Sequence, residues 1–311
     1  MRIFFLCFLF HFCLVYGWES DYSQALEKSR EDKKPLLLFF TGSDWSVPSM
    51  KIRNEILNSE GFQQKIRQIF RCVEIDFPIH QSLFLPLQQQ NEELKNRFAV
   101  KDYPTLLILD ANERMISRIN DFPENGKRLA DELLNVMKQD HQLFLGLQAL
   151  PSDKEELRVL YQLSQVLMQE EARKTILSAG IQMEIPFFLL ENYRCLIEEG
   201  KKEAALLMRD KLLQLEDYQV HFTVAMIDFQ ERALTMNPNE AIKPLQSYLD
   251  QFGQQDQHNV WRIEMTIAQF YLDADEWKNA LKYAQMAYED APAQFRQEIA
   301  SSMEYIRSQI R

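Results

Sequence analysis

The pattern of apolar and polar positions divides the 311-residue chain into a first part with strands and helices and a second part with helices alone. Residues 35–40 form a short, wholly apolar run, which is typical of a central strand covered on both faces. The other predicted strands are residues 69–76, 100–110 and 114–119. The predicted helices are residues 50–57, 94–98 and 126–138. The predicted element order is therefore β-α-β-α-β-β-α.

From about residue 141 onward, apolar residues recur at helical spacing without strand-like alternation. Ala204, Ala241 and Ala280 stand 37 and 39 positions apart, which favours stacked helical hairpins. The predicted breaks between helices are polar and fall at residues 198–202, 237–239, 253–258 and 273–276.

The last predicted hairpin has small residues where two helices would approach closely, and a proline after its second helix. Its residues Ala268, Tyr271, Ala280, Ala287 and Pro292 resemble a tetratricopeptide repeat. The earlier hairpins match less well, since Lys211 stands where a small residue is expected. An ordinary helical bundle is the alternative interpretation of this part.

The turn after the first predicted strand reads Thr41-Gly42-Ser43-Asp44-Trp45-Ser46-Val47-Pro48-Ser49. Together with Lys51, the Asp76-Phe77-Pro78 turn, residues 91–94 and Tyr103-Pro104-Thr105, this pattern resembles the thioredoxin superfamily, and specifically its small secreted branch. The resemblance covers about residues 20–138. In that family the turn carries Trp-Cys-x-x-Cys, whereas this chain has Ser46 and Ser49 at both cysteine positions.

The resemblance implies an α/β thioredoxin-like domain, with a central mixed sheet flanked by helices, over residues 18–140. An all-α domain of tetratricopeptide-like helical hairpins is expected to follow over residues 141–311. Residues 1–17 are predicted to be a signal peptide, because Arg2 precedes an apolar run that ends at Val15-Tyr16-Gly17. A retained membrane anchor is the alternative for this segment.

The resemblance also implies a peptide-binding edge. The Tyr103-Pro104 bond would be cis and would face the turn, with its backbone available to an extended peptide. Trp45 would shield the turn, Val47 and Pro48 would shape the groove, and Thr105 belongs to the same motif. Two alternatives are that Pro104 merely starts a strand and that Trp45 is a packed core aromatic.

Serine at both turn positions removes the chemistry that cysteine would supply. Thiol–disulfide exchange needs a thiolate that attacks and a second thiol that resolves the mixed disulfide. Ser46 is therefore predicted to cap the following helix. A serine hydrolase would need a base, and the one histidine in the thioredoxin-like part, His80, lies in a predicted surface loop. No catalytic residue, cofactor or metal site is predicted.

The composition of the chain excludes some classes of binding partner. The formal net charge of −11 argues against a nucleic acid or an anionic lipid surface. No apolar segment after residue 17 is long enough to span a membrane. The expected partner is an exported polypeptide or an envelope protein, and the expected location is the periplasm or the extracellular space.

Cysteine usage leaves a second hypothesis open. Only Cys72 and Cys195 remain after residues 1–17, and both are interpreted as buried small hydrophobic residues. The leading hypothesis is a redox-inactive, thioredoxin-like protein of the bacterial envelope that binds polypeptides or an assembly partner. The alternative is an envelope thiol–disulfide oxidoreductase or isomerase that acts through Cys72, which would require an accessible thiol with a lowered pKa. A third possibility gives the helical part a purely structural role.

Overall fold

The computed structural model describes residues 17–310. The predicted signal peptide lies outside the described residues, apart from Gly17. The chain forms two compact units, which divide between Ile176 and Leu177. The domain boundary expected after residue 140 falls within one helix, Gly126–Gln148.

The first unit contains a four-stranded sheet and the helices around it. Its strands are β1 (Leu36–Thr41), β2 (Arg71–Asp76), β3 (Thr105–Leu109) and β4 (Met115–Ile119). Its helices are α1 (Tyr22–Asp32), α2 (Val47–Lys51), which continues as a π-helical segment (Ile52–Leu57), α3 (Glu60–Ile66), α4 (Leu85–Arg97), α5 (Gly126–Gln148) and α6 (Lys154–Val166). The helix α7 (Glu170–Gln182) contains the division between the units.

The strands lie in the order β2-β1-β3-β4, and the sheet is mixed, as expected. β1 pairs in parallel with β2 and antiparallel with β3, and β3 pairs antiparallel with β4. Every residue of β1 is buried, because the strand is central in the sheet and covered on both faces. This position places the turn that follows β1 at the end of a rigid core strand.

The fourth helix is longer than the sequence pattern predicts. The sequence predicts this helix over residues 94–98, but it begins at Leu85. Pro86 lies in the first turn of α4, where its missing N–H is not needed. Helices α1 and α3 are not predicted from the sequence pattern.

The second unit is entirely helical over its described residues. Its helices are α8 (Pro186–Glu198), α9 (Lys202–Leu213), α10 (Tyr218–Ala233), α11 (Pro238–Ala241), α12 (Lys243–Phe252), α13 (Gln257–Asp273), α14 (Trp277–Asp290) and α15 (Ala293–Gln309). The predicted breaks at residues 198–202, 253–258 and 273–276 fall at junctions between helices, whereas the break at 237–239 covers the start of the short helix α11. The expected all-helical region is confirmed.

Small residues are buried where α13 and α14 pack together. Ala268, Ala280 and Ala287 belong to one core cluster with Tyr271, and all are nearly inaccessible. The match is poorer at α9, where Ala204 is exposed and its neighbour Ala205 is buried. Ala204 is therefore not the close-contact position that its spacing suggested.

Candidate functional site

The turn between β1 and α2 is organised around the two serines. Ser46 is the N-cap of α2, as predicted, and its Oγ accepts a hydrogen bond from the Ser49 backbone N–H at 3.3 Å. The Ser49 hydroxyl donates to the same oxygen at 2.9 Å and accepts from the Gly42 N–H at 3.5 Å. Both serines are buried. Their hydroxyl groups thus connect β1's end to the first turn of α2.

His80 does not form a catalytic pair with Ser46. Its backbone N–H donates to Asp44 Oδ2 at 2.7 Å, and the residue is exposed. Within residues 17–310, no histidine is a hydrogen-bond partner of Ser46. The arrangement lacks the base that a serine nucleophile requires.

Three aromatic side chains lie together beside the turn. The Trp45 ring packs edge-on against Tyr103, with ring centroids 5.9 Å apart, and Tyr103 lies 5.2 Å from the Phe77 ring. Trp45 Nε1 donates to the Phe77 carbonyl oxygen at 2.7 Å, and 41% of Trp45 remains exposed. Trp45 is therefore held in place by its neighbours while it still presents a surface to solvent.

Two carboxylates, those of Asp44 and Asp76, connect the turn after β1 to the segment at the end of β2, next to these three aromatic rings. Asp44 accepts hydrogen bonds from the backbone N–H groups of Ile79, at 2.9 Å, and His80. Against the raising effect of desolvation, these bonds hold the pKa of Asp44 below its usual value. Asp76 accepts from the Ser43 N–H at 2.9 Å and from the Ser43 hydroxyl. The turn after β1 and the turn after β2 are thus tied together by side-chain hydrogen bonds.

A cavity of about 400 Å³ opens beside these turns. It is lined by Trp45, Phe77 and Tyr103 on one side and by the side chains of Glu92 and Lys95 on α4. The Tyr103 hydroxyl is buried and has no hydrogen-bond partner within the described residues. Burial, together with the charge of Glu92, raises the pKa of Tyr103 to about 12, so this hydroxyl stays protonated and available as a donor.

Exposed apolar side chains also occur in the segments that flank the turn after β1 and the start of α4. Val47 is 70% exposed at the start of α2, and Pro48 is also exposed. Ile79 and Phe84, in the segment between β2 and α4, are exposed to a similar degree.

The Tyr103-Pro104 peptide bond is cis, as predicted, and it directly precedes β3. Within residues 17–310, the backbone N–H and C=O groups of Tyr103 have no hydrogen-bond partner. Thr105 is buried, and its hydroxyl lies 2.7 Å from the Asp102 carbonyl oxygen and 3.0 Å from Asn120 Oδ1. Thr105 therefore positions this segment and offers no surface of its own.

The predicted site residues thus separate into two roles. Trp45 and Tyr103 line the cavity, and Val47 and Pro48 are exposed at the start of α2. Pro104 is half-buried and does not line the cavity, and Ser46, Ser49 and Thr105 hold the backbone. Asp44 and Lys95 are not identified as site residues by the sequence pattern. Lys95 Nζ lies 5.2 Å from the Phe77 ring centroid and 6.0 Å from that of Tyr103, a contact between α4 and the turns that sequence spacing does not reveal.

Cys72 is half-buried, and its thiol has a raised pKa rather than the lowered one expected of a one-cysteine enzyme. It lies on β2, forms no disulfide and lines a separate cavity of about 230 Å³ with Phe62, Ile66 and Phe70. Burial raises the pKa of the Cys72 thiol to about 12, despite the nearby charge of Arg67. The thiolate needed for attack on a disulfide is therefore scarce at neutral pH.

Thiol labelling measures this property directly. In a variant whose other three cysteines are replaced by serine, we expect Cys72 to react with Ellman's reagent at pH 8 at least about 100-fold more slowly in the folded protein than in urea. The physical reason is the raised pKa, which leaves about one thiol in 10⁴ ionised at that pH. Rapid labelling of the folded protein would instead support an exchange reaction at Cys72.

No group of three or more histidine, cysteine, aspartate or glutamate side chains in residues 17–310 is arranged to hold a metal ion. Across the same residues, every helix is too short or too polar to cross a membrane.

The mixed sheet, the cis-proline segment and the capped turn after β1 define a thioredoxin-like protein, and a thioredoxin-like family model matches residues 17–111. The chain is 41% identical to the thioredoxin-related protein DsbJ of Chlamydia pneumoniae over 305 residues, which cover 94% of this chain and 88% of that protein. It therefore belongs to the family of thioredoxin-related proteins that includes DsbJ.

Two further relatives match the thioredoxin-like part. The disulfide bond reductase DsbH of Chlamydia pneumoniae is 36% identical over 121 residues, which cover 39% of this chain and 72% of that protein. A solved structure described as DsbH oxidoreductase is 34% identical and covers 39% of this chain and 84% of its own, with a TM-score of 0.38.

Proposed function

We propose that this chain is an exported, redox-inactive thioredoxin-like protein that binds polypeptide without dithiol–disulfide exchange. The observation that carries the proposal is the pair of hydrogen-bonded serines, Ser46 and Ser49, at the N-terminus of α2. A serine hydroxyl does not form a disulfide, so neither the attack nor the resolution step of exchange can take place there.

Disulfide chemistry is named for a relative of the thioredoxin-like part, the disulfide bond reductase DsbH. Because serines stand at positions 46 and 49, this chain has the thioredoxin-like fold without the cysteine pair that disulfide exchange at this turn would need. The Cys72 alternative would restore an enzymatic role, but the raised pKa of that thiol disfavours it.

The binding half of the proposal rests on the surface beside the serines. Trp45 and Tyr103 offer rigid aromatic contacts, and aromatic side chains of this kind dominate binding energy at protein interfaces. The Tyr103 backbone offers a donor and an acceptor to an extended chain, since neither group has a partner within the described residues. Val47, Pro48 and Ile79 extend the apolar contact surface.

The helical unit supplies a second surface under this proposal. We infer that it is a degenerate tetratricopeptide-like array, supported by the buried alanines between α13 and α14. Such arrays present extended surfaces that hold peptides or helices. Export to the bacterial envelope is part of the same proposal and is supported by the sequence pattern of residues 1–17.

A combined assay of reduction and capture tests the proposal. In an insulin-reduction assay with dithiothreitol, we expect the chain lacking residues 1–17 to leave the rate at that of the reductant alone, since it has no exchangeable dithiol at the turn. With a photoreactive residue at position 47, which is 70% exposed, we expect crosslinking to reduced and alkylated α-lactalbumin, an unfolded polypeptide without free thiols.

The matched control carries the photoreactive residue at position 145 on α5, where Leu145 is also exposed and apolar but does not line the cavity. Clear acceleration of insulin reduction would contradict redox inactivity. Equal crosslinking from positions 47 and 145 would contradict a binding site beside the turn.

A further inference from the structure

A third cavity lies wholly within the helical unit, between α12, α13 and α14, and has a volume of about 760 Å³. Four acidic side chains line it: Asp250, Glu264, Glu289 and Asp290. No lysine, arginine or histidine among the described residues lines it. The cavity therefore concentrates negative charge with no cation of its own to balance it.

Glu264 is the unusual member of this group. Only 2% of its surface is exposed, and its Oε2 atom has no hydrogen-bond partner within the described residues. Burial, followed by the charge of Asp290, a hydrogen bond with Asp290 and the charge of Glu289, raises the pKa of Glu264 to about 8. A buried carboxyl oxygen without a partner costs free energy, and a cationic donor in the cavity would remove that cost.

The remaining walls fit an organic cation better than a metal ion. Leu249, Val260 and Met286 provide apolar surface, and the Tyr283 hydroxyl accepts a hydrogen bond from Gln246 Nε2 at 2.6 Å. No three carboxylates in the described residues converge at metal-binding geometry. The alkyl stem of a lysine or arginine side chain can cover such apolar walls while its charged end reaches carboxylates.

We propose that this cavity binds an arginine or lysine side chain of a polypeptide partner, with the buried carboxyl of Glu264 as the acceptor at its base and Asp250, Glu289 and Asp290 as the surrounding charges. The guanidinium group suits the site well, because its several N–H donors serve more than one carboxylate at once. This site does not involve the turn at Ser46, so a test of the cavity is independent of the proposed redox inactivity.

A titration observed by methyl NMR on the full chain tests this assignment. The probe is acetyl-Gly-Arg-Gly-amide, and the reporter is the ¹³C-labelled methyl group of Met286, identified by its loss in the Met286→Leu variant. We expect a saturable shift of the Met286 signal, while the signal of Met208 on α9 stays in place. The same peptide with citrulline, a neutral isostere of arginine, is expected to produce no shift, because the interaction requires the charge.

Variants separate the buried carboxyl from general surface charge. We expect Glu264→Gln to weaken binding of the arginine peptide at least about tenfold. Glu304→Gln makes the same substitution at an exposed position on α15 and is expected to leave binding unchanged. Equal binding of the citrulline peptide, unchanged affinity in the Glu264→Gln variant, or a saturable Met286 shift with MgCl₂ or CaCl₂ but not with the peptide would each overturn the assignment.

Discussion

Replacing Ser46 and Ser49 together by cysteine is expected to produce a protein that reduces insulin at least about tenfold faster than the unmodified chain. The two serine oxygens lie 2.9 Å apart in the first turn of α2, so sulfur atoms at these positions are close enough to form and exchange a disulfide. Ser46 is the N-cap, where the backbone N–H groups that hold its oxygen would stabilise a thiolate and lower its pKa.

The single variants provide the controls for this prediction. Ser46→Cys alone supplies the attacking sulfur without a resolving thiol, so we expect it to accumulate as a mixed disulfide with insulin. Ser49→Cys alone places its sulfur at a fully buried position and is expected to remain inactive. Failure of the double variant to reduce insulin, despite an intact fold by circular dichroism, would show that the turn no longer presents position 46 to a substrate.

The second large effect is expected from a single methyl group at Gly126. A Cβ atom at this position, at the start of α5, would lie 2.5 Å from the Ile56 carbonyl oxygen. It would also clash with the Ser59 hydroxyl and lie 2.9 Å from Phe62 Cβ. Because a backbone oxygen cannot rotate away, we expect Gly126→Ala to destabilise the first unit by about 2–3 kcal/mol.

Hydrogen exchange of the buried β1 amides measures this loss in the first unit specifically. The slowest of these amides exchange when the sheet opens, so their exchange is expected to accelerate about 30- to 150-fold. Gly61→Ala is the matched control, since its Cβ would meet no atom closer than 3.4 Å, at Lys127 Cβ, and we expect little change. Equal exchange in the two variants would contradict the proposed close packing of α5 against the π-helical segment.

The strands β1 and β2 could be predicted because the local order of apolar and polar residues is characteristic of strands. The apolar run of β1 and the alternation of β2 place both strands within about two residues of their observed bounds. The break between α8 and α9 was predicted for a similar reason, since a polar segment interrupts an apolar face. The π-helical segment after α2 could not be predicted, because residues 52–57 have the same composition as an ordinary helix.

The candidate site was partly predictable for a different reason. Ser46 could be identified as a cap from its type and its position before the helix, and the structure confirms it. The bond from Trp45 to the Phe77 carbonyl joins residues 32 positions apart, so only the folded sheet brings them together. The buried Glu264, whose Oε2 atom has no partner within the described residues, gave no sequence signal, because its helix α13 has other polar residues at exposed positions that look the same in the sequence.

The serine pair also determines how a bound polypeptide would dissociate from this surface. An exchange enzyme can hold its substrate through a covalent sulfur link, whose lifetime depends on a second thiol and on the reducing power of the compartment. With oxygen at positions 46 and 49, any complex at this surface lasts only as long as its noncovalent contacts. Its lifetime is then set by the dissociation rate constant alone. Occupancy at the turn would then follow the concentration of partner chains and remain the same in oxidising and reducing surroundings.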